Sequence, residues 1–220
     1  MKKAFKFRWI AAVAAMLLLS PLLSSGGGAV AGDPMTDCMS DDNRQRIEGC
    51  SALIENPGLG PYRKSFAYGM RALAYSLLGK FGEALADYDR AIDLNPNYAV
   101  ALNNRAWAYY KLGRGSEGAA DVERALQLSP ASPYALDTRA HIRQAEGDVE
   151  AAIADYESAM RIGGGRMVRV YQCGLRAQGL YDGTIDGTLS HEVSRALHAC
   201  VSTRACDPLP ADEDCTPSVS

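Results

Sequence analysis

The sequence predicts an all-α fold: a solenoid of helix-turn-helix repeats, three clear units and a degenerate leading one, followed by a small helical, disulfide-stapled C-terminal module. Three observations predict it. Segments 65–96, 99–130 and 133–164 align without a gap at a spacing of 34 residues, with seven columns identical in all three. Within each segment apolar residues recur at helical spacing on both sides of one glycine. The six cysteines stand only near the two ends of the exported part, leaving the middle unstapled.

In chain order, MKKAFKFRWIAAVAAMLLLSPLLSSGGGAVAGD comes first and has the three parts of a secretory signal. Lys2, Lys3, Lys6 and Arg8 give a positive start, Trp9 to Leu19 an apolar run, and Ala29-Val30-Ala31 a small-residue cleavage site. Residues 1–31 are therefore expected to be a cleaved signal peptide, and the protein to be bacterial and periplasmic or secreted. Ser20, Pro21 and the Gly-rich stretch from Ser24 interrupt the run short of the roughly 20 residues a membrane span needs. No span is expected after cleavage, and no cysteine sits at the cut to take a lipid.

Removing the signal leaves 19 basic against 26 acidic residues, a charge of −7 over 189 residues. Nucleic acid is excluded as a partner class, because phosphate recognition needs clustered Lys and Arg. Cys38 and Cys50 fall in the segment 32–64 and form the natural first disulfide, closing a loop that would stabilise the fold by ~3 kcal/mol. A zinc site from Cys200, Cys206, His191 and His198 lacks any familiar ligand spacing, and no metal or cofactor is expected.

The repeats occupy 65–98, 99–132 and 133–164. In the first, Tyr68, Ala72 and Tyr75 share one helical face, and Gly79 supplies the left-handed residue that ends the helix. Ala84, Tyr88 and Ala91 line the second helix, and Pro96 closes the unit. The skeleton Ala72, Gly79, Ala84, Ala91, Pro96 resembles the tetratricopeptide repeat (TPR) family. Departures from it (Gly118 for alanine, Gly164 for proline, Arg143 where Tyr75 and Tyr109 stand) predict looser packing in units two and three. Residues 46–57 look like the second helix of a degenerate leading unit. The resemblance covers about half of the mature chain.

Such arrays bind peptides or protein segments along a concave groove made by their first helices. Helical register turns Leu73, Trp107 and His141 toward that groove. Gly69, Asn103 and Asp137 lie one turn earlier, with Ser76, Tyr110 and Gln144 and then Leu77, Lys111 and Ala145 one turn later. The middle unit thus offers an aromatic anchor in Trp107 with Tyr110, an amide in Asn103 for a peptide backbone and a cation in Lys111 for a carboxylate. Packing of Trp107 against a neighbouring helix is the alternative. The column Arg71, Arg105, Arg139 accompanies Asp87, Asp121, Asp155 sixteen residues later, and reads as helix-to-helix ion pairs of ~0–1 kcal/mol each, the value for exposed pairs.

After Gly163-Gly164-Gly165 the pattern changes. Val168, Tyr171 and Leu175 form a stripe running into Gly179, and Ser190 caps a further helix with Val193, Ala196, Leu197 and Cys200 on its apolar face. The loop between them, QGLYDGTIDGTLS, carries two Asp-Gly pairs. Asp182 and Asp186 are too few for calcium, so tight turns joining helices are expected. Gln172, Leu175, Gly179, Tyr181, Asp182, Gly183, Ile185, Asp186, Gly187, Ala196 and Leu197 resemble the small peptidoglycan-binding domain of cell-wall proteins, while Leu189-Ser190 and Cys200 depart from it. That resemblance implies either wall binding or, with binding lost, a packed cap on the array. Among Cys173, Cys200, Cys206 and Cys215 three connectivities remain open. Cys206–Cys215 would close the acidic tail and leave Cys173 with Cys200, but Cys173 falls off the apolar stripe. No catalytic constellation emerges. The expected function is a non-enzymatic adaptor that binds a protein or peptide segment, with peptidoglycan as a further candidate ligand and a purely interaction or structural protein as the alternative.

Overall fold

Local sequence sets where the helices begin and end. Prolines occupy the first helical position, where a missing N–H costs nothing, in α1 (Pro34–Cys38), α3 (Pro61–Leu77) and α7 (Pro133–Glu146). Asp42 accepts from Arg44 N and Gln45 N to start α2 (Asn43–Glu55), and Ser190 accepts from Val193 N to start α9 (His191–Val201). Gly79, Gly113 and Gly147 take φ of 71, 71 and 90°, turning the chain from the first helix of each unit into the second. The computed structural model describes residues 32–203 and 205–209, among which no strand occurs. The expected signal peptide and Cys215 lie outside the described residues.

Each unit is an antiparallel helix pair: α3 with α4 (Phe81–Leu94), α5 (Ala99–Lys111) with α6 (Gly115–Leu128), and α7 with α8 (Val149–Ala177). The alanine columns are the contact surface. Ala72, Ala84, Ala91, Ala106, Ala125, Ala140, Ala152 and Ala159 are all 0–1% exposed. First helices of successive units touch, α3 on α5 and α5 on α7, whereas second helices pack chiefly on first helices. The first helices therefore line the inner side of the array. In front of them α1 and α2 form the leading unit, joined by the Cys38–Cys50 disulfide.

At Gly118 and Arg143 the expected looser packing of units two and three is not found. A Cβ on Gly118 would stand 2.7 Å from Ala106 Cα and 3.1 Å from Ala106 Cβ, so this glycine lets α5 and α6 approach more closely. Arg143, in the column of Tyr75 and Tyr109, places Nη1 2.7 Å from Asp155 Oδ2. Both departures from the repeat pattern are compensated on the spot.

The Arg–Asp columns are also stronger than exposed pairs. Arg71, Arg105 and Arg139 each grip Asp87, Asp121 or Asp155 through two parallel N–H···O bonds of 2.7–2.8 Å. The carboxylates are only 7–13% exposed. Each arginine also reaches the preceding unit: Arg71 to Ser51, Arg105 to Asp89, Arg139 to Glu123. Two-helix pairs thereby become a ladder across units. Hydrogen bonding to the paired aspartate outweighs burial and raises all three guanidinium pKa values.

The glycine triplet breaks the helix: Gly164 takes φ 65° and ψ −160°, outside the helical region, so α8 is two helices joined at a kink. The second, tied to α7 by Tyr171 and Asp137, stands as a further first helix, followed by the double Asp-Gly loop and α9. Val193, Ala196, Leu197 and Cys200 are buried on α9, and Val168, Tyr171 and Leu175 on α8. Cys173 is buried too, not turned away from the core as its place off the stripe suggested. Cys200 is bonded to Cys206, which rules out both the Cys206–Cys215 and the Cys173–Cys200 pairings and any zinc site using this pair. Cys173 carries no free thiol. No helix among the described residues is long and apolar enough to cross a membrane.

Candidate functional site

The groove positions expected from helical register lie together on the inner row, but in unlike states. Leu73 on α3 is half-buried, as are Trp107 and Tyr110 on α5, while Lys111 is exposed. Trp107 and Tyr110 have ring centroids 5.2 Å apart, and Lys111 Nζ stands 5.4 Å from the Trp107 ring. This half-open patch pairs an aromatic surface with a cation. Trp107 also stands edge-on to His141 at 5.1 Å, so it combines the two roles weighed for it.

Asn103 is buried, and its Oδ1 has no hydrogen-bond partner among the described residues. It borders a cavity of about 110 Å³ between α5 and α7, lined also by Asn104, Ser129, Ser132 and Tyr134. The corresponding place one unit earlier is filled: the Tyr98 ring lies against Gly69. Ser132 stands where Tyr98 stands, 34 residues on, and is too small to do the same. An acceptor is thereby left without a partner among the described residues beside this recess.

His141 was expected as an open groove residue and is instead 1% exposed. The cause is the chain beyond α9. Gln144 Nε2 donates to the carbonyls of Thr203 and Cys206 at 3.2 and 2.7 Å. Gln178 Nε2 donates to the Asp207 carbonyl at 3.4 Å, and Asp207 Oδ1 lies 3.2 Å from His141 Nε2. Pro208 is buried over Gly174, where any Cβ would strike its carbonyl oxygen. Thr203 and residues 205–209 therefore lie along the inner row of unit three and the helix after it.

Below this segment runs a buried polar network. His141 Nδ1 lies 2.8 Å from the Asp137 carbonyl oxygen. Both ring nitrogens thus face acceptors, an arrangement that only the doubly protonated imidazolium satisfies fully. Burial opposes that charge, but the carboxylates of Asp137 and Asp207 outweigh it and raise the His141 pKa. Burial likewise opposes ionisation of Asp207, yet His141 holds its carboxyl below the usual range. Asp137, fully enclosed, is pushed up by burial against the opposing pull of His141 and Tyr171. Tyr171 donates to Asp137 Oδ1, and Tyr156 donates to Gln144 Oε1 at 2.9 Å. Trp107, Tyr110, His141, Tyr156 and Tyr171 form one run of ring contacts at 5.0–5.8 Å.

The double Asp-Gly loop closes on itself around Gln172. Its Nε2 donates to Asp186 Oδ1 at 2.9 Å, and its Oε1 accepts from Gly187 N at 2.9 Å. Tyr181 donates to the Thr184 carbonyl at 2.6 Å, and Asp186 Oδ1 also accepts from Thr188 N. Gly179 and Gly187 take φ of 71 and 79°, and Leu175 is buried. Asp182 is exposed, and Gly183 sits against the Tyr181 ring.

Residues 65–98 match the family described as Tetratricopeptide repeat, and residues 87–119 match a second family of the same description. The chain carries tetratricopeptide repeats. Sixty-one solved chains match; among them the crystal structure of MamA aligns over 55% of this chain and 68% of that chain, at 19% identity and a TM-score of 0.47. No curated protein matches the chain.

The sequence reading missed Asp207 altogether and gave Gln144 no role beyond its position. A signal for Gln144 was present, since it occupies the column of Tyr110. None existed for Asp207, whose role depends on a return of the chain across 66 residues to His141.

Proposed function

We propose that this protein is an exported, non-enzymatic scaffold that holds an extended protein or peptide segment along the inner row of its tetratricopeptide repeats. One observation carries the reading: unit three already holds a turned stretch of backbone, Thr203 and residues 205–209, by an amide donor to backbone carbonyls and an imidazole nitrogen to a carboxylate. Unit two offers the same kinds of group without an occupant among the described residues. Trp107 and Tyr110 give an anchor surface, Lys111 a cation, and Asn103 Oδ1 an acceptor for a peptide N–H. A non-enzymatic role is supported by His141, whose two nitrogens are both engaged under a covered surface. Export rests on the N-terminal signal pattern, and N-terminal sequencing of exported protein should begin at Gly32.

The test is selection from a random peptide display library on the oxidised protein. Selected peptides should bind roughly tenfold or more weakly to a folded Trp107→Ala variant. Selection of nothing above background, or affinity indifferent to that substitution, would sink the reading.

Peptidoglycan is the second candidate ligand, on the likeness of the Gln172–Gly187 pattern to the wall-binding module. The hydrogen bonds around Gln172 favour capping, because they use the loop's polar side chains internally. Sedimentation of the protein with purified sacculi, lost on Asp182→Ala, would restore wall binding.

A further inference from the structure

We infer that residues 205–209 are a built-in occupant of the groove, and that the partner this surface fits is a peptide segment with a carboxylate that takes the place of Asp207 against His141. The inference rests on the groove reading above and adds the chemistry of the ligand.

Register is the first argument. His141 and Gln144, which hold the segment, stand in the columns of Trp107 and Tyr110, so the segment lies on the continuation of the half-open patch. The second is the mode of holding. Gln144 and Gln178 bind three backbone carbonyls, which reads the backbone and not side chains, and Asp207 is the one charged group recognised among the described residues. Cys206, Pro208 and Leu209 add apolar contact. The third is the tether. Cys206 is bonded to Cys200 at the end of α9, which fixes the start of the segment over the groove. A tethered ligand acts at roughly millimolar effective concentration and excludes a free peptide of micromolar affinity while the clip holds.

Charge selects the partner. The exported part is acidic at −7, yet its groove presents Lys111 beside Trp107 and His141 beneath the segment. Lys111 and His141 are both felt by the Asp207 carboxylate. An incoming carboxylate therefore finds Lys111 exposed first, then competes for His141.

The test uses the full chain in two forms: unaltered, and opened by Cys200→Ser, Cys206→Ser and Asp207→Asn together. The probe is a fluorescein-labelled peptide of residues 203–209 carrying Cys206→Ser, read by anisotropy. The opened form should bind it about tenfold or more tightly than the unaltered form, and the Asp207→Asn probe should lose about tenfold. His141→Gln in the opened form should remove the same gain. Equal binding to both forms, or indifference to the probe's aspartate, overturns the inference. Where circular dichroism shows the opened form unfolded, Asp207→Asn alone decides: residues 205–209 must exchange amide hydrogens faster than in the unaltered chain, and unchanged exchange overturns it. The groove reading fails separately. Library peptides that bind through Trp107 but carry no acidic residue uphold the groove and overturn the carboxylate partner.

Discussion

Tyr171 donates its hydroxyl hydrogen to the buried carboxylate of Asp137, 34 residues earlier, so the bond joins equivalent positions one repeat apart. The second half of α8 therefore continues the first-helix row past the last recognisable repeat. Its inner face, with Gln178 and Gly174, is what lets residues 207–209 lie down beside unit three.

Tyr171→Phe keeps the ring packing and removes the donor, leaving Asp137 a buried carboxyl short of one partner. A loss of about 1–3 kcal/mol in denaturant unfolding is expected. Tyr134→Phe on the exposed rim should change little and serves as the control.

Gly118→Ala separates two opposing effects. Helix propensity and the family pattern favour alanine, by about 1 kcal/mol. The Cβ, however, would stand 2.7 Å from the Ala106 backbone, and overpacking costs about 1–3 kcal/mol. The backbone contact wins, and thermal unfolding of the variant should show net destabilisation.

Arg105→Ala removes the arginine that ties its own unit to the one before. Asp121 is left nearly buried without its two bonds, and a loss of about 2 kcal/mol is expected. Arg114→Ala, whose pair with Glu117 is solvent-exposed, should be close to neutral in the same unfolding assay.

These pairs show how much the sequence disclosed. The repeat period, the turn glycines at 79, 113 and 147 and the alanine seams follow from local chemistry, and they are legible because each residue acts on neighbours one or two turns away. Gly118 and Arg143 were misread as defects, since their compensation lies in the backbone of Ala106 and the carboxylate of Asp155. The inner row was legible as positions, because helical register alone turns Asn103, Trp107 and His141 the same way. Its occupancy was not. Asp207 reaches His141 only after the chain has turned through the Gln172 loop and α9, and no periodicity announces such a return.

Protonation should set the grip on that segment. The raised His141 pKa means its contribution is complete below roughly pH 6.5 and is lost as pH rises through the folded value. The depressed Asp207 pKa means its contribution is complete above roughly pH 4 and is lost as pH falls through its lowered value. The segment is therefore held best between these limits. An NMR titration should find the His141 ring protonated above its ordinary range, and Asp207→Asn should bring its midpoint down. A midpoint unmoved by Asp207→Asn contradicts the contact.

The central claim is that the inner row receives an extended segment, and hydrogen–deuterium exchange of the full chain with a library-selected peptide tests it most directly. Slowed exchange is expected in residues 103–111 on α5, with residues 205–209 exchanging faster as they are displaced. Protection confined to α4 and α6, with α5 and residues 205–209 unchanged, would place the peptide on the outer helices and contradict the account.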